Sequence, residues 1–200
     1  MARTRSAQQV AVKREHISNA AVSVMAREGI AAANLRGVAH EADISTGAVL
    51  YYFNEFDAVV RSAILIVAEK YATTREQALA QSPDAVASLR RLVSLGLPDT
   101  IDGSLAILYQ AHFIDDPSGE ITLMLSELNA RQRVLYEKTI QRGIDYGVFT
   151  PNQDPRAIAA IALCMEDAHS LYAMRDYGVG MRRARSALRQ YLGAALGVRL

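Results

Sequence analysis

The chain has 200 residues, half of them hydrophobic and 22% charged, with a formal net charge of +1, the balance of a folded chain with a sizeable core and not of a disordered one. Its single cysteine, Cys164, excludes an internal disulfide framework and fits a reducing cytosol, with the thiol expected to pack inside an apolar run. The basic start MARTRSAQQV has no apolar signal segment behind it and no apolar run approaches membrane-spanning length, so a cytoplasmic protein without membrane association is expected.

Helical periodicity runs through the whole chain. From Val10 to Arg27, the residues Val10, Ile17, Ala20, Ala21, Val24 and Met25 fall on one helical face, and Gly29 ends the run. Asn34 suits the N-cap of a short helix starting at Leu35, and after a turn at Asp43-Ile44 the hydroxyl of Ser45 suits the next cap. Asn54 or Asp57 then caps a long amphipathic helix over 58–80. Further helices are predicted from Pro83-Asp84 to Leu97, over 103–114, over 120–144 after the turn Asp116-Pro117-Ser118-Gly119, and over about 155–177 and 180–195. No alternating strand pattern, repeat or low-complexity segment appears. The predicted fold is all-α: three short helices over residues 1–57, then a larger helical domain over 58–200.

The segment ADISTGAVLYYF, residues 42–53, is small at the start of its helix and aromatic at the end. A helix that enters the major groove of DNA reads bases mainly with its N-terminal residues, and small ones permit close approach. Exposed amides there suit phosphate oxygens. Ser45, Thr46, Gly47 and Ala48 are therefore the expected approach surface, with Tyr51 and Tyr52 touching the sugar-phosphate wall or a thymine methyl.

Residues 14–64 resemble the DNA-binding domain of the tetracycline-repressor (TetR) family. The resemblance is carried by Ile17, Ala20-Ala21, Glu28-Gly29, Leu35-Arg36, Val38-Ala39, Ile44-Ser45-Thr46-Gly47 and Tyr51-Tyr52-Phe53, all in one register. It implies a regulator, expected to be a repressor, that binds a palindromic operator in double-stranded DNA as a homodimer and responds to a small-molecule effector. Three positions depart from the family pattern: Asp43 stands at the usual turn glycine, Leu50 at the usual mid-helix tyrosine, and Phe56 where a phosphate-gripping lysine is common. Residues 1–36 hold six basic residues against two acidic ones, whereas residues 37–60 hold four acidic residues and neither lysine nor arginine. The phosphate grip is thus expected from the N-terminal arm, Arg3 and Arg5 included, and from Arg36, helped by Thr46 and Tyr52.

For the larger domain, the resemblance implies that the last two helices form a four-helix bundle with their mates; Met181, Ala184, Leu188 and Leu192 lie on one stripe of the last. Polar or aromatic residues that interrupt apolar faces are the candidates for a ligand pocket. These are Tyr109, His112 and Phe113, then Met124, Glu127 and Leu128, and then Met165, His169 and Tyr172. Glu166-Asp167-Ala168-His169 is a Glu-x-x-His run, half of a di-iron motif, but it has no second copy. No catalytic residues, metal or cofactor are expected. The alternative function is a helical small-molecule binding protein without regulated DNA contact.

Overall fold

The computed structural model describes residues 2–175, 177–178 and 180–200, with side chains from residue 7 onward, so the expected phosphate contacts of Arg3 and Arg5 lie outside the described residues. These residues form nine α-helices and no strand: α1 (Ala2–Glu28), α2 (Leu35–Glu41), α3 (Thr46–Phe53), α4 (Phe56–Ala80), α5 (Ala85–Gly96), α6 (Gly103–Ala111), α7 (Glu120–Asp145), α8 (Pro155–Met174) and α9 (Met181–Leu196).

Side-chain caps place most of the starts. Asn34 Oδ1 accepts from the Gly37 amide at 3.0 Å and Ser45 Oγ from the Ala48 amide at 3.1 Å. Asp84 and Asp102 do the same for α5 and α6, each at 2.7 Å. Each such cap contributes about 1 kcal/mol by satisfying an amide the helix cannot. Gly29 ends α1 with a φ of 85°, a conformation closed to most side chains. Several boundaries differ from expectation: α6 ends at Ala111 and α8 at Met174, each about three residues early, and two differences lie in the N-terminal part. The first helix begins at Ala2, eight residues before the first apolar residue of its stripe, because nothing in the polar ARTRSAQQ segment breaks a helix. Asn54 does not cap α4; with a φ of 61° it is the C-cap of α3, and Asp57 lies in the first turn of α4.

The chain packs as two compact units, whose boundaries fall within α4 and α7. The first takes in residues up to Lys70 together with 102–125. Ile17, Ala21, Val24 and Met25 of α1 are buried there with Val38, Val49, Phe53 and Val59. Within this unit α6 is fastened to α1 and its loop: Gln110 Oε1 accepts from the Ile30 amide at 2.9 Å, and a Cβ on Gly103 would lie 2.5 Å from the Ala26 carbonyl oxygen, so only glycine fits. Ser18 and Ser62 share a hydrogen bond of 2.7 Å that ties α1 to α4.

The second unit holds residues 71–101 and 126–200. Its core combines Leu89, Leu92, Val93 and Leu97 with Tyr136, Ile140, Phe149, Ile158, Ala162, Leu188, Leu192 and Leu196. The stripe of Met181, Ala184, Leu188 and Leu192 is buried inside this unit's own core, so it is not the face α9 can offer a mate. Another face is open. On α8, Ala157, Ala160, Ile161, Cys164, Ala168, Leu171 and Tyr172 form a half-buried to exposed apolar stripe, and on α9 Ala187, Tyr191 and Ala194 are similarly placed. Cys164 is exposed on that stripe instead of packed inside, because the core side of α8 is taken by Ala162, Leu163 and Glu166.

Candidate functional site

The second and third helices meet through a turn in which Asp43 adopts a φ of 52°. The short polar side chain of aspartate tolerates this left-handed conformation better than most residues, so the turn survives without glycine. Val49 and Phe53 are buried, and α3 is thereby seated with Ser45, Gly47, Leu50 and Tyr51 outward and Thr46, Ala48 and Tyr52 half-buried. Tyr51 is 78% exposed and meets the Tyr52 ring edge-on, with centroids 5.1 Å apart. Arg14 braces the far end of the helix, donating to the Tyr52 carbonyl at 3.1 Å and stacking its guanidinium 4.4 Å from the centre of the Phe53 ring.

Gly47 is informative because the protein does not need it. Its φ is not positive, and a Cβ would meet only Ser45 Oγ, at 3.9 Å. A helical glycine costs up to about 1 kcal/mol relative to alanine, and no contact within the monomer calls for one here.

Two of the four acidic residues of the 37–60 stretch, Glu41 and Glu55, are held in ion pairs. Arg27 pairs with Glu41 at 3.2 Å and with Glu28 at 3.1 Å, and Arg61 pairs with Glu55 at 2.7 Å and Glu120 at 2.7 Å. Arg36 on α2 and Lys13 on α1 are exposed. Phe56, in the position of the family lysine, is half-buried at the start of α4. A groove of about 630 Å³ runs along Gln8, Gln9, Val10, Val12, Lys13, Tyr51 and Tyr52. The sequence reading missed its α1 side, since it began the helix at Val10 and so left Gln8 and Gln9 outside any element.

The candidate ligand residues fall in both units. In the first, Tyr109 is buried, Met124 is half-buried, Phe113 is 66% exposed, and His112 is the exposed C-cap of α6, its imidazole pKa lowered by desolvation. In the second, Glu127 is exposed, Leu128 is half-buried, and His169 Nδ1 donates to the Met165 carbonyl at 2.6 Å. Tyr172 is 49% exposed and packs edge-on against Tyr177.

The more structured polar site is one the sequence reading did not assemble. Inside the second unit, Arg75 of α4 forks onto Glu166 of α8 at 2.9 and 3.3 Å, with both side chains 1% exposed. Tyr136 of α7 donates its hydroxyl to the same carboxylate, and Arg75 donates to the Tyr71 hydroxyl. Gly96 of α5 makes room for the carboxylate, since a Cβ there would lie 2.0 Å from Glu166 Oε1. Burial pushes the Tyr71 phenol up to about 12, and burial first, then the Glu166 charge, raises Tyr136. Burial works against the charge on Arg75, but Glu166 outweighs it and the guanidinium stays protonated. Glu166 is therefore an arginine partner, which accounts for the Glu-x-x-His run without a metal. Desolvation first, and the Glu166 charge second, push the Asp167 carboxyl up to about 7. Gln132, 3% exposed, has no hydrogen-bond partner for either amide atom, and neither the Ser170 hydroxyl nor Arg75 Nε has one. The available signal was a polar pair four residues apart on each helix: Tyr71/Arg75, Gln132/Tyr136 and Glu166/Ser170.

Comparison with known proteins agrees with the N-terminal geometry. Residues 17–62 match the family described as bacterial regulatory proteins, tetR family. A sequence comparison with curated proteins gave no match. Among solved structures, a TetR transcription regulator from Haloarcula marismortui superposes with a TM-score of 0.82 at 22% identity, over 93% of this chain and 99% of that one. A putative transcriptional regulator from Saccharomonospora viridis in complex with choline gives 0.82 at 20% identity, over 92% and 96%. The regulator FadR from Bacillus subtilis in complex with stearoyl-CoA gives 0.69 at 17% identity, over 92% and 98%. No helix among the described residues is long and apolar enough to cross a membrane. Residues 17–62 thus carry a DNA-binding segment of the tetR family, within an all-helical fold that the chain shares over nine-tenths of its length with solved regulators.

Proposed function

We propose that the protein is a cytoplasmic, homodimeric repressor that binds a palindromic operator and is released from it by a small-molecule effector. The observation that carries the DNA side is the outward end of α3, where Gly47 sits with no packing demand and Tyr51 stands almost fully in solvent. Residues 1–57 form the DNA-reading part. Ser45, Thr46, Gly47 and Ala48 approach the base edges, Tyr51 and Tyr52 the groove wall, and Arg36 and Lys13 the phosphates. Residues 58–200 receive the effector and make the dimer.

The dimer reading rests on the apolar stripe of α8 and its continuation on α9, which a second copy would cover by two-fold symmetry. Two readers related in this way match half-sites about one helical turn apart. The effector reading draws support from the structural neighbours that hold choline or stearoyl-CoA. The residues offered for it are those named from sequence, namely Tyr109, His112, Phe113, Met124, Glu127, Leu128, Met165, His169 and Tyr172, and the polar interior around Glu166. An effector that binds the DNA-incompetent arrangement better needs a coupling of only about 1–3 kcal/mol to weaken repression. The continuous helix α4, bonded to α1 through Ser62 and carrying Arg75 farther along, is the proposed lever.

The test is selection of bound sequences from a random DNA pool by the purified protein. A palindrome with fixed half-site spacing is the expected outcome. Recovery of the unselected pool at low salt would refute the reading and leave a helical binding protein without DNA function.

A further inference from the structure

One flank of α9 carries a concentration of positive charge that the fold does not neutralise. Arg182, Arg185 and Arg189 recur at helical spacing on a stripe of their own. It is separate from the buried stripe of Met181, Ala184, Leu188 and Leu192 and from Ala187 and Tyr191 of the proposed dimer face. Like charges three and four residues apart work against a helix. Arg182 also stands in the first turn, where the helix dipole disfavours a cation, and neither an acidic residue nor a side-chain cap offsets it there. None of this serves the folding of α9.

These arginines line a cleft of about 800 Å³, together with Arg199, Ser186 and Gln190. Its other wall is the segment 197–200, folded back over the helix. Gly197 turns with a φ of 66°, Val198 donates its amide to the Gly193 carbonyl at 3.0 Å, and Arg90 of α5 donates to the Arg199 carbonyl at 3.2 Å. That wall requires Gly193, since a Cβ there would lie 2.8 Å from the Val198 carbonyl oxygen. Arg185 is held by Asp99, and Arg189 by Ser94 Oγ at 2.9 Å. Both keep an Nε–H that nothing in the fold accepts, although covered donors are almost always bonded. The guanidiniums of Arg182 and Arg199 are exposed and have no ion pair among the described residues.

Four guanidiniums, none of which can deprotonate, thus meet a single acidic side chain, Asp99. Counting a main-chain carboxylate at Leu200 as well, four positive charges against two negative leave an excess of two. The planar guanidinium fork matches the oxygens of a phosphate or a carboxylate two at a time. No aromatic ring lines the cleft, so stacking gives a flat apolar ligand no hold.

We propose that this cleft is a binding site for a small polyanion, a phosphate ester or a polycarboxylate. Arg182 and Arg199 engage it at the rim and the half-buried Arg185 and Arg189 deeper in, with Ser186 and Gln190 as uncharged donors. The site is additional to the DNA surface and to the effector residues named above, and it stands whether or not the repressor reading does.

The experiment is calorimetric titration of the full-length protein at pH 7 and low salt with two probes, pyrophosphate and citrate. At least one should bind saturably, and the tighter of the two tells phosphate from carboxylate recognition. Arg182→Gln combined with Arg199→Gln should weaken that probe at least about tenfold, the size of one charge-assisted contact. Thermal unfolding without the probe should stay as in the parent, because both side chains are exposed. Lys138→Gln, which removes an exposed charge from α7, should leave the affinity within about twofold. No saturable heat from either probe, or unchanged affinity in the double arginine variant, would overturn the proposal. An equal loss in Lys138→Gln would do the same, by showing a counterion atmosphere only. So would displacement of the bound probe by duplex DNA, since the arginines would then belong to the DNA surface.

Discussion

Replacing Gly96 with alanine would place a Cβ 2.0 Å from Glu166 Oε1, 2.1 Å from its carboxyl carbon and 2.4 Å from Oε2. A carboxylate at the end of a free side chain would simply swing away. This one is held by Arg75 at 2.9 and 3.3 Å and by Tyr136, with the pair 1% exposed. Moving it far enough to clear the methyl breaks at least part of the fork and leaves a guanidinium buried without its partner. Breaking a buried pair in this way costs about 3–5 kcal/mol, a large share of the 5–15 kcal/mol that holds an ordinary domain together. Urea unfolding of Gly96→Ala at pH 7 should show that loss as a lower midpoint. A loss under about 1 kcal/mol would mean the carboxylate has room to relocate, and the reading of Gly96 as the space that the buried fork requires would be wrong.

Gly47→Ala is the matched opposite. Its Cβ would meet only Ser45 Oγ at 3.9 Å, so stability should hold or rise by less than about 1 kcal/mol, while affinity for the selected operator should fall by about 5- to 150-fold, the equivalent of 1–3 kcal/mol. Fluorescence anisotropy beside thermal melting separates the two effects, and operator affinity within twofold of the parent would remove Gly47 from the DNA surface.

Other predictions follow from single features. Lys13→Ala should weaken binding to all DNA sequences alike and reduce the slope of log K against log[salt] by about 2 per dimer; an unchanged slope would take Lys13 off the phosphates. Ile161→Glu, in the middle of the α8 stripe and 40% exposed, should convert a dimer to monomers in sedimentation without lowering the melting temperature of the monomer; an intact dimer would place the interface elsewhere. Asp167 carries a folded pKa of about 7 against an ordinary 3.8, so the folded state holds a proton there that the unfolded state has released, and stability falls as pH rises from about 4 to about 7. Asp167→Asn should therefore match the parent near pH 4 and exceed it by about 2–4 kcal/mol at pH 8, as two denaturation series would show.

The sequence alone was enough for the helix-turn-helix and for the all-α class, because both depend on information a few residues long. Caps at Asn34 and Ser45 act on amides three residues away, and the stripe Ile17, Ala21, Val24 repeats at the pitch of the helix. The tolerance of Asp43 for a positive φ is a property of that residue itself. The interior of the second unit could not be read in the same way. Arg75, Tyr136 and Glu166 come from three helices, the first and last 91 positions apart. Each on its own is an ordinary polar residue on an amphipathic helix. Only packing decides that the three converge, that Gly96 must be small beneath them, and that Gln132, Ser170 and Asp167 are left without partners. The same holds for the outer face of α8: periodicity finds the apolar stripes of α8 and α9, but which of them fills the core and which remains open depends on what the neighbouring helices have already covered.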